Sequence, residues 1–330
     1  MMAEPMSGLP KPRILVVIVN YRTAELTLDA LAAIAPEVVA RGDTQVVVTD
    51  NLSGDGSVEK LRDGIAVRGY GPWCELMPLP KNGGFAYGNN RGIRPYFERP
   101  DQPDYVWLLN PDTVARPQAL SILVDYLEAQ PKVGIAGSRL EDPDGTPQQS
   151  AFRFHSIASE LEEGLRLGLV SKLLGDRLVA PPVSDETTIT DWVAGASMLV
   201  RRDVFRRVGL LDEAYFMYFE EVDFCLKANR AGYQCAYVPA SRVVHLVGQA
   251  SGVTDPNKAT RPRPQYWFDS RRSYFVRNHG LAMAIGADLA FTAGFATWRL
   301  RRIVQRKPDN DPKDLLPSLV KNWTLFRGTQ

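Results

Sequence analysis

Residues 13–50 read RILVVIVNYRTAELTLDALAAIAPEVVARGDTQVVVTD and decide the fold class. Two short runs of β-branched apolar residues, 13–19 and 45–50, have the pattern of parallel strands buried on both faces. Between them, residues 23–40 carry apolar side chains at helical spacing and predict an amphipathic helix. Strand, helix and strand in this order predict a parallel sheet covered by helices.

The same alternation continues outward to about residue 140 and then changes. The first part has further strand patterns at 74–78, 104–110 and 133–138, helix patterns at 55–63 and 117–129, and a Gly/Asn-rich loop, KNGGFAYGNNRG, at 81–92 that leads into a short helix. The second part has strand patterns at 193–200, 233–238 and 242–247, a helix pattern at 219–231, and helical character from 263 onward. A mobile connection is predicted at 251–264.

Composition excludes several classes of protein. The chain has 330 residues, 45% of them apolar and 23% charged, with a net charge of +1, which is typical of a globular protein and not of a nucleic-acid-binding one. Cys74, Cys225 and Cys235 are scattered, which favours a reduced, cytoplasmic protein. Residues 1–12 are polar and Pro-rich, so we interpret them as a flexible leader and not as a signal peptide.

The segment after the first strand excludes two common modes of nucleotide binding. A dinucleotide-binding site needs GxGxxG there, but residues 20–25 read NYRTAE. The sequence also contains no GxxxxGK[ST] phosphate loop. A nucleotidyltransferase remains an alternative, although it usually has a Gly-rich basic segment at the same place.

Polar residues follow three strands of the predicted sheet. They are Asn20 and Tyr21, Asp50 and Asn51, and Asn110 and Asp112. One such residue is commonly a turn former or helix cap. Because ligands bind at the carboxyl ends of parallel strands, three sets together predict a ligand site.

A second polar cluster lies in the later half, where Glu220, Glu221 and Asp223 begin a predicted helix after five aromatic or apolar residues. Acids are common at helix N-termini on protein surfaces. Beside apolar groups, however, a carboxylate is partly desolvated and can act as a general base near neutral pH. His245 lies in the apolar run VVHLV, where a histidine is often structural; together with Asp112 it is also a candidate metal ligand.

Six motifs in order resemble family 2 glycosyltransferases, and within them the bacterial rhamnosyltransferase-like group. They run from residue 14 to about 250 and read VVIVNY, TDNLSGDGS, NGGFAYGNNRG, LLNPDT, the segment from DWVAGASMLV to NRAGY, and VVHLVGQAS. The resemblance implies an α/β GT-A fold, with a mostly parallel central sheet flanked by helices and a C-terminal helical extension. It also implies an inverting enzyme of cell-wall or polysaccharide biosynthesis that moves a sugar, such as rhamnose, from a nucleotide-diphosphate sugar to a hydroxyl.

For the donor, the resemblance implies that Asp50 reads a nucleobase of a dTDP-, UDP- or GDP-sugar. The other nucleotide-binding residues that the resemblance implies are Val19, Tyr21, Asn82, Asn90 and Asn110. The segment Asn110-Pro111-Asp112 takes the place of the DxD motif, which leaves one carboxylate in it. Asp112 and His245 are therefore the expected ligands of Mg²⁺ or Mn²⁺.

For catalysis, the resemblance implies that Glu221 is the general base, although the family usually has aspartate there. Glu220 and Asp223 are reserve candidates. The segment with Trp192, Gly195 and Ala196 is expected near the donor sugar and the acceptor. The departures at Asn110 and Glu221 keep open a catalytically silent nucleotide-sugar-binding protein.

The predicted domains are the leader 1–12, a catalytic domain 13–250 with a nucleotide-binding half 13–140 and an acceptor half 141–250, and a helical extension 251–330. The apolar run 281–298, with the Arg/Lys cluster that follows it, indicates peripheral binding to the anionic inner face of the plasma membrane. There, Arg271 or Arg272 would pair with the phosphates of a polyprenyl-diphosphate-linked acceptor. The alternative is a helical pair packed on the catalytic domain. A homodimer is compatible with the sequence.

Overall fold

The architecture comes from a computed structural model that describes residues 12–246 and 261–328. Nearly all of the predicted leader and most of the predicted connection at 251–264 therefore lie outside the described residues. The same is true of residues 247–251, the end of the VVHLVGQAS motif, and of the predicted domain boundary at residue 250.

The first half of the chain alternates strands and helices as predicted. Its elements are β1 (Ile14–Asn20), α1 (Ala24–Arg41), β2 (Thr44–Asp50), α2 (Ser57–Val67), β3 (Cys74–Pro78), α3 (Gly84–Phe97), β4 (Tyr105–Leu109), β5 (Thr113–Ala115), α4 (Ala119–Ala129) and β6 (Val133–Glu141). All seven residues of β1 are buried, as expected for a strand covered on both faces. Short β5 had no recognisable pattern in the sequence.

The second half is less regular and ends in helices. Its elements are β7 (Ala151–Phe152), α5 (Ile157–Leu165), α6 (Gly168–Leu174), β8 (Thr188–Thr190), β9 (Trp192–Val193), β10 (Ser197–Arg201), α7 (Arg202–Val208), α8 (Glu220–Arg230), β11 (Gln234–His245), α9 (Gln265–His279), α10 (Leu281–Val304), α11 (Leu315–Lys321) and α12 (Thr324–Arg327). The single strand predicted at 193–200 is thus two strands, because a turn at Ala194 divides it.

One large sheet organises the molecule, in the order β3-β2-β1-β4-β10-β6-β11-β5, with β8 also paired to β11. Strands β1 to β4, and β6 with β11, pair in parallel. Strand β10 lies antiparallel between β4 and β6. The predicted fold class, a mostly parallel sheet flanked by helices, is confirmed.

The predicted loop at 81–92 is wrong from Gly84 onward, where α3 begins. Its glycines allow close packing of a helix on the sheet. A Cβ on Gly88 would lie 2.6 Å from the Val19 side chain, and one on Gly92 would lie 2.8 Å from Val17. Composition alone could not distinguish this use of glycine from its use in loops.

Strand β11 replaces the two strands predicted at 233–238 and 242–247. Its pairing with β6 shifts register between Val238 and Arg242, around Pro239, which has no N–H to donate to a ladder. Beyond the shift, β11 also pairs with β5, and His245 lies opposite Thr113. This pairing carries His245 to the end of β4.

The C-terminal helices pack on the rest of the protein. The backbones of α5 and α10 meet at two glycines, since a Cβ on Gly164 would lie 2.6 Å from the Phe291 carbonyl oxygen and one on Gly294 would lie 2.6 Å from the Leu161 carbonyl oxygen. By length and composition α10 could cross a membrane, but 44% of its apolar window is buried inside the protein. A packed helix, the alternative reading of 281–298, accounts for that buried face.

Candidate active site

The candidate metal ligands come together where β4 leads into β5. Because β5 pairs with the end of β11, His245 Nε2 lies 3.5 Å from Asp112 Oδ1. Asp112 is only 2% exposed, and its Oδ1 atom accepts no hydrogen bond from any residue that the structure describes. A buried carboxylate oxygen without a donor, next to an imidazole nitrogen, fits a divalent cation such as Mg²⁺ or Mn²⁺.

A second group with metal-ligand chemistry consists of His155, Glu160 and Glu163, whose ligand atoms lie within 4.8 Å of one another. The guanidinium of Arg271 donates to Glu160 Oε2 from Nη2 at 2.6 Å and from Nε at 3.1 Å. Glu160 Oε1 is also 2.9 Å from His155 Nδ1. This fixed positive charge disfavours a cation, so the group is a charge network and Asp112 with His245 is the better metal site.

Glu221 lies in the first turn of α8 and lines a pocket of about 180 Å³, here called the Glu221 pocket. The pocket is also lined by His155, Glu163, Trp192, Arg263 and Trp267, among others. Burial raises the pKa of the Glu221 carboxyl, and among residues 12–246 and 261–328 its Oε2 atom has no hydrogen-bond partner. These are the properties of a general base usable near neutral pH.

The segment before α8 has an uncommon backbone. Tyr218 and Phe219 adopt left-handed φ angles of 70° and 69°. A residue other than glycine in this conformation costs about 1–3 kcal/mol of stability, so packing around the segment must stabilise it. One contact that does so is the hydrogen bond from Phe85 N to the Phe216 carbonyl oxygen, at 3.0 Å.

The two reserve carboxylates have other environments. Glu220 is buried, and its pKa is raised well above the ordinary value by burial and by the charge of Glu221. Asp223 accepts a hydrogen bond from Asn278 Nδ2 at 2.7 Å, and Lys227 Nζ lies 2.6 Å from its Oδ2. Asp223 is therefore engaged in holding α8 to α9, and Glu221 is the best-placed base of the three.

The segment predicted near the donor sugar connects the metal motif to Glu221. Asn110 N donates to the Ala196 carbonyl oxygen at 3.0 Å. At Gly195, an added Cβ would lie 3.8 Å from Glu221 Cβ. Trp192 stacks on Phe152, with ring centroids 4.0 Å apart, and presents its indole to the Glu221 pocket. Three motifs far apart in sequence therefore share one region.

Asp50 has a different environment from the one predicted. Its carboxylate accepts hydrogen bonds from Asn20 Nδ2 at 2.6 Å and from Ser53 through N at 3.0 Å and Oγ at 2.6 Å. With 1% exposure, it offers no free edge to a nucleobase. Asp50 therefore joins the end of β1 to the segment after β2, and its environment does not fit a direct ligand of the donor. Val19 is buried against α3 at Gly88.

The other expected nucleotide-binding residues are placed as follows. Tyr21 is half-buried beneath the Arg22 guanidinium, whose carbon lies 5.1 Å from the ring centroid. Asn82 accepts a hydrogen bond from Gly84 N at 3.0 Å and so orders the start of α3. Asn90 is buried and donates to the Leu211 carbonyl oxygen at 2.8 Å, which assigns it a structural role. Asn110 is half-buried beside Ala196.

The arginines predicted to meet acceptor phosphates have partners inside the protein. Arg271 is buried between Glu160 and Asp288, and its Nη1 donates to Asp288 Oδ1 at 2.6 Å. Arg272 Nη2 donates to Asp269 at 2.9 Å. The predicted role does not suit Arg271, because both of its carboxylate partners would lose their counter-ion.

The basic cluster that follows the apolar run 281–298, most of it in the last turns of α10, is also partly neutralised. Arg299 and Arg302 both pair with Asp309, at 2.7 and 3.1 Å. Arg301 donates to the carbonyl oxygens of Leu165 and Arg166. Most of the arginines expected to face lipid headgroups therefore hold α10 to its neighbours.

Fold and site together define a class of protein, the GT-A glycosyltransferases. The fold is shared with a mannosyltransferase from Pyrobaculum calidifontis in complex with GDP-Man and Mn²⁺, with a TM-score of 0.58, 16% identity, and coverage of 99% of this chain and 85% of that one. It is also shared with GalNAc-T7 bound to UDP, GalNAc and Mn²⁺, with a TM-score of 0.56, 14% identity, and coverage of 95% and 58%.

The sequence comparison gives the family. Residues 12–263 match the model described as glycosyltransferase like family 2, so the chain belongs to this family. It is 30% identical over 222 residues to the N-acetylglucosaminyl-diphospho-decaprenol L-rhamnosyltransferase of Mycobacterium tuberculosis, covering 63% of this chain and 68% of the relative. It is 31% identical over 166 residues to rhamnosyltransferase WbbL of Escherichia coli K12, covering 49% and 60%. The resemblance to the rhamnosyltransferase-like group is confirmed.

The sequence analysis missed several residues that line the Glu221 pocket together with Glu221. His155, Glu163 and Arg263 were not among the predicted site residues, although all three line it. One signal was present: His155 is one of three histidines, and Glu160 and Glu163 follow it at helical spacing. Arg263 had no local signal, because it joins the pocket only through tertiary packing.

Proposed function

We propose that this glycosyltransferase transfers a sugar with inversion from a nucleotide-diphosphate sugar to an acceptor hydroxyl in the synthesis of a cell-surface polysaccharide. The observation that carries the proposal is the continuous path from Asp112 and His245, through Asn110 and Ala196, to Glu221. Donor and acceptor chemistry need these groups side by side. Rhamnose is the sugar we propose, because the relatives named above are rhamnosyltransferases.

On the donor side, Asp112 and His245 would hold Mg²⁺ or Mn²⁺. When bound, such an ion stabilises the diphosphate of the donor as a leaving group. We propose dTDP-, UDP- or GDP-linked donors, with residues 13–140 as the nucleotide-binding half. The relative from Shigella flexneri named dTDP-rhamnosyl transferase, 25% identical over 235 residues, favours dTDP among them.

On the acceptor side, Glu221 would take the proton of the attacking hydroxyl. The oxygen forms a bond to the anomeric carbon while the bond to the diphosphate breaks, and the nucleotide diphosphate leaves with the electron pair. This single displacement inverts the anomeric centre and needs no covalent enzyme intermediate. Gly195 lies beside Glu221 and the Phe85 ring, since an added Cβ would lie 3.8 Å from Glu221 Cβ and 3.3 Å from the ring, so a small residue there allows the backbone to come close to the base.

The acceptor we propose is a lipid-linked glycan at the inner face of the plasma membrane. Among the described residues, twelve of the seventeen large apolar side chains that are exposed lie on α5, α6, α10 or α12 or next to them. They form the helical layer, and are Ile157, Leu161, Leu167, Leu169, Leu173, Leu281, Leu289, Leu300, Ile303, Val304, Leu325 and Phe326. An apolar surface with exposed cations such as Arg306 and Lys307 suits an anionic lipid surface.

The test is a thermal-shift panel with UDP, dTDP and GDP, each with and without Mn²⁺. We expect one nucleotide to stabilise the wild type only when Mn²⁺ is present. Asp112→Ala should lose that stabilisation, whereas Asp63→Ala, at an exposed position on α2, should keep it. Equal Mn²⁺-dependent stabilisation of the Asp112→Ala variant would refute the metal site.

The rival is a catalytically silent nucleotide-sugar-binding protein. It is favoured by Asn110 and Glu221, which stand where the family usually has aspartate. Transfer from the stabilising donor, followed by NMR of the product anomer, separates the two. Binding of the donor without transfer or hydrolysis would support the silent protein. Retention of the anomeric configuration would refute the single displacement.

A further inference from the structure

The Glu221 pocket has charged groups of both signs, and three of them, His155, Glu160 and Arg271, are already paired with carboxylates or cations inside the protein. Arg271 is balanced by Glu160 and Asp288, which lie 2.6 Å from its Nη2 and Nη1 atoms. His155 shares the other oxygen of Glu160 at 2.9 Å. These contacts use the positive charge of Arg271 inside the protein and leave little for a ligand.

Arg263 is the cation of this pocket that has no such ion pair among the described residues. Its guanidinium carbon lies 4.3 Å from the centroid of the Trp267 ring, and within the part of the chain that the structure describes its buried Nε atom has no hydrogen-bond partner. Within 12–246 and 261–328, no carboxylate lies within ion-pair distance of it. Burial lowers the pKa of Arg263, because removal of water disfavours the charged guanidinium, and the charge of Glu163 opposes this shift only in part.

We infer that Arg263, supported by the ring of Trp267, binds the phosphate or diphosphate group of the acceptor, beside the hydroxyl that Glu221 activates. The inference rests on the proposed function and deepens it. A guanidinium presents parallel N–H donors that match phosphate oxygens, and an aromatic face keeps the guanidinium in place. The pocket holds Arg263 and Glu221 together, so its ligand is a short acceptor in which the phosphate and the reacting hydroxyl are close.

The carboxylate of Glu163 also lines the pocket and would repel an anion in its charged form. Glu163 is exposed at the surface, but protein atoms around its carboxyl desolvate it. This desolvation, and then the charge of Glu160, raise the pKa of Glu163, while the charge of Arg263 opposes the shift. Its protonated form is a hydrogen-bond donor that a phosphate oxygen can accept from.

The lining also indicates where the rest of the acceptor goes. Trp267 belongs to α9 and Phe291 to α10, the helix that carries exposed Leu289 on its outer side. A chain attached to the phosphate would leave the pocket toward the apolar helical layer. The acceptor is therefore a lipid-linked diphosphate and not a free sugar phosphate.

The inference can be tested by titrating the full-length protein, in EDTA, with farnesyl diphosphate, farnesol and pyrophosphate. EDTA keeps pyrophosphate from binding through a metal ion at Asp112. We expect farnesyl diphosphate to bind most tightly, and Arg263→Gln to weaken it about tenfold to a hundredfold, as for lost hydrogen bonds to a charged group. Arg261→Gln, at an exposed position two residues earlier, should bind as the wild type does.

The outcomes separate this inference from the proposed function. Unchanged binding of farnesyl diphosphate by Arg263→Gln, with the melting temperature of the wild type, would overturn it. Binding of pyrophosphate as tight as that of farnesyl diphosphate would refute the lipid chain. Arg263→Lys keeps the charge and should retain part of the affinity, so its failure to do so would also count against the inference. Mn²⁺-dependent stabilisation by nucleotide should persist in every variant; its absence from the wild type would refute the proposed function instead.

Discussion

Replacing Gly84 with alanine tests the contact that holds the segment before Glu221 in place. Gly84 has φ +84°, and an added Cβ would lie 1.7 Å from the Phe216 carbonyl oxygen and 2.5 Å from the carbon of that carbonyl. The neighbouring Phe85 N–H donates to the same oxygen at 3.0 Å. Alanine at this position therefore strains its own backbone and pushes away the chain that leads into α8.

The magnitude follows from the geometry. A left-handed φ costs a residue with a Cβ about 1–2 kcal/mol, and losing the Phe85–Phe216 hydrogen bond costs about 1 kcal/mol more. We expect the free energy of unfolding to fall by roughly 2–3 kcal/mol. The Phe216 oxygen must retreat by roughly 1.3 Å to reach even 3.0 Å. A shift of that size near the reacting groups lowers the transfer rate about 10²-fold.

Urea unfolding and steady-state transfer rates measure the two effects. Gly56→Ala is the matched control, because Gly56 has φ +85° but an added Cβ would meet nothing within 4 Å. The free energy of unfolding of Gly56→Ala should fall only by the cost of the backbone strain, about 1–2 kcal/mol, and its transfer rate should not change. If Gly84→Ala is as stable and as active as Gly56→Ala, the contact with Phe216 does not order the segment, and the reasoning is refuted.

Three further predictions concern the base and the membrane. Glu221→Gln should lower the transfer rate by about 10²-fold or more with donor affinity nearly unchanged. An active Glu221→Gln variant together with an inactive Asp223→Asn variant would show that Asp223, and not Glu221, is the base. Because burial raises the pKa of Glu221 from 4.5, its basic form is lost as pH falls through a value above 4.5, and the acidic limb of kcat/KM should lie there; a limb at 4.5 or below would contradict this. Val304→Glu, at a side chain 82% exposed in the helical layer, should abolish salt-sensitive co-sedimentation with anionic liposomes, whereas Val67→Glu, 87% exposed on α2, should not; failure of the wild type to co-sediment would end the membrane proposal.

The sequence predicted the strands well where the pattern had one physical cause. Residues 14–19 are apolar and mostly β-branched because both faces of β1 are covered, and this pattern is typical of buried parallel strands. The direction of β10 could not be predicted in this way. A run such as Ser197–Arg201 looks the same whether it pairs parallel or antiparallel, and its place between β4 and β6 depends on the path of the whole chain.

Within the site, the sequence motifs predict that Asp112 and His245 lie together, and the two side chains are 3.5 Å apart in the structure. Their role as metal ligands stays a prediction. The sequence did not predict which groups each arginine side chain contacts in the folded protein. The sequence shows Arg271 and Arg263 as equivalent cations, yet only packing gives two carboxylates to the first and an aromatic ring to the second.

The buried pairs of Arg271 have a consequence for changing acceptor range by exchanging segments between relatives. Glu160 lies on α5, Arg271 on α9 and Asp288 on α10, and Asp288 Oδ2 also accepts from Thr324 N at 2.7 Å. A graft of the C-terminal helices alone would separate Arg271 from Glu160 and put two unrelated surfaces against each other at Gly164 and Gly294. The unit to exchange is therefore discontinuous: α5 has to be transferred together with α9 to α12, and the hydrogen bond from Asn278 on α9 to Asp223 on α8 has to be preserved across the junction.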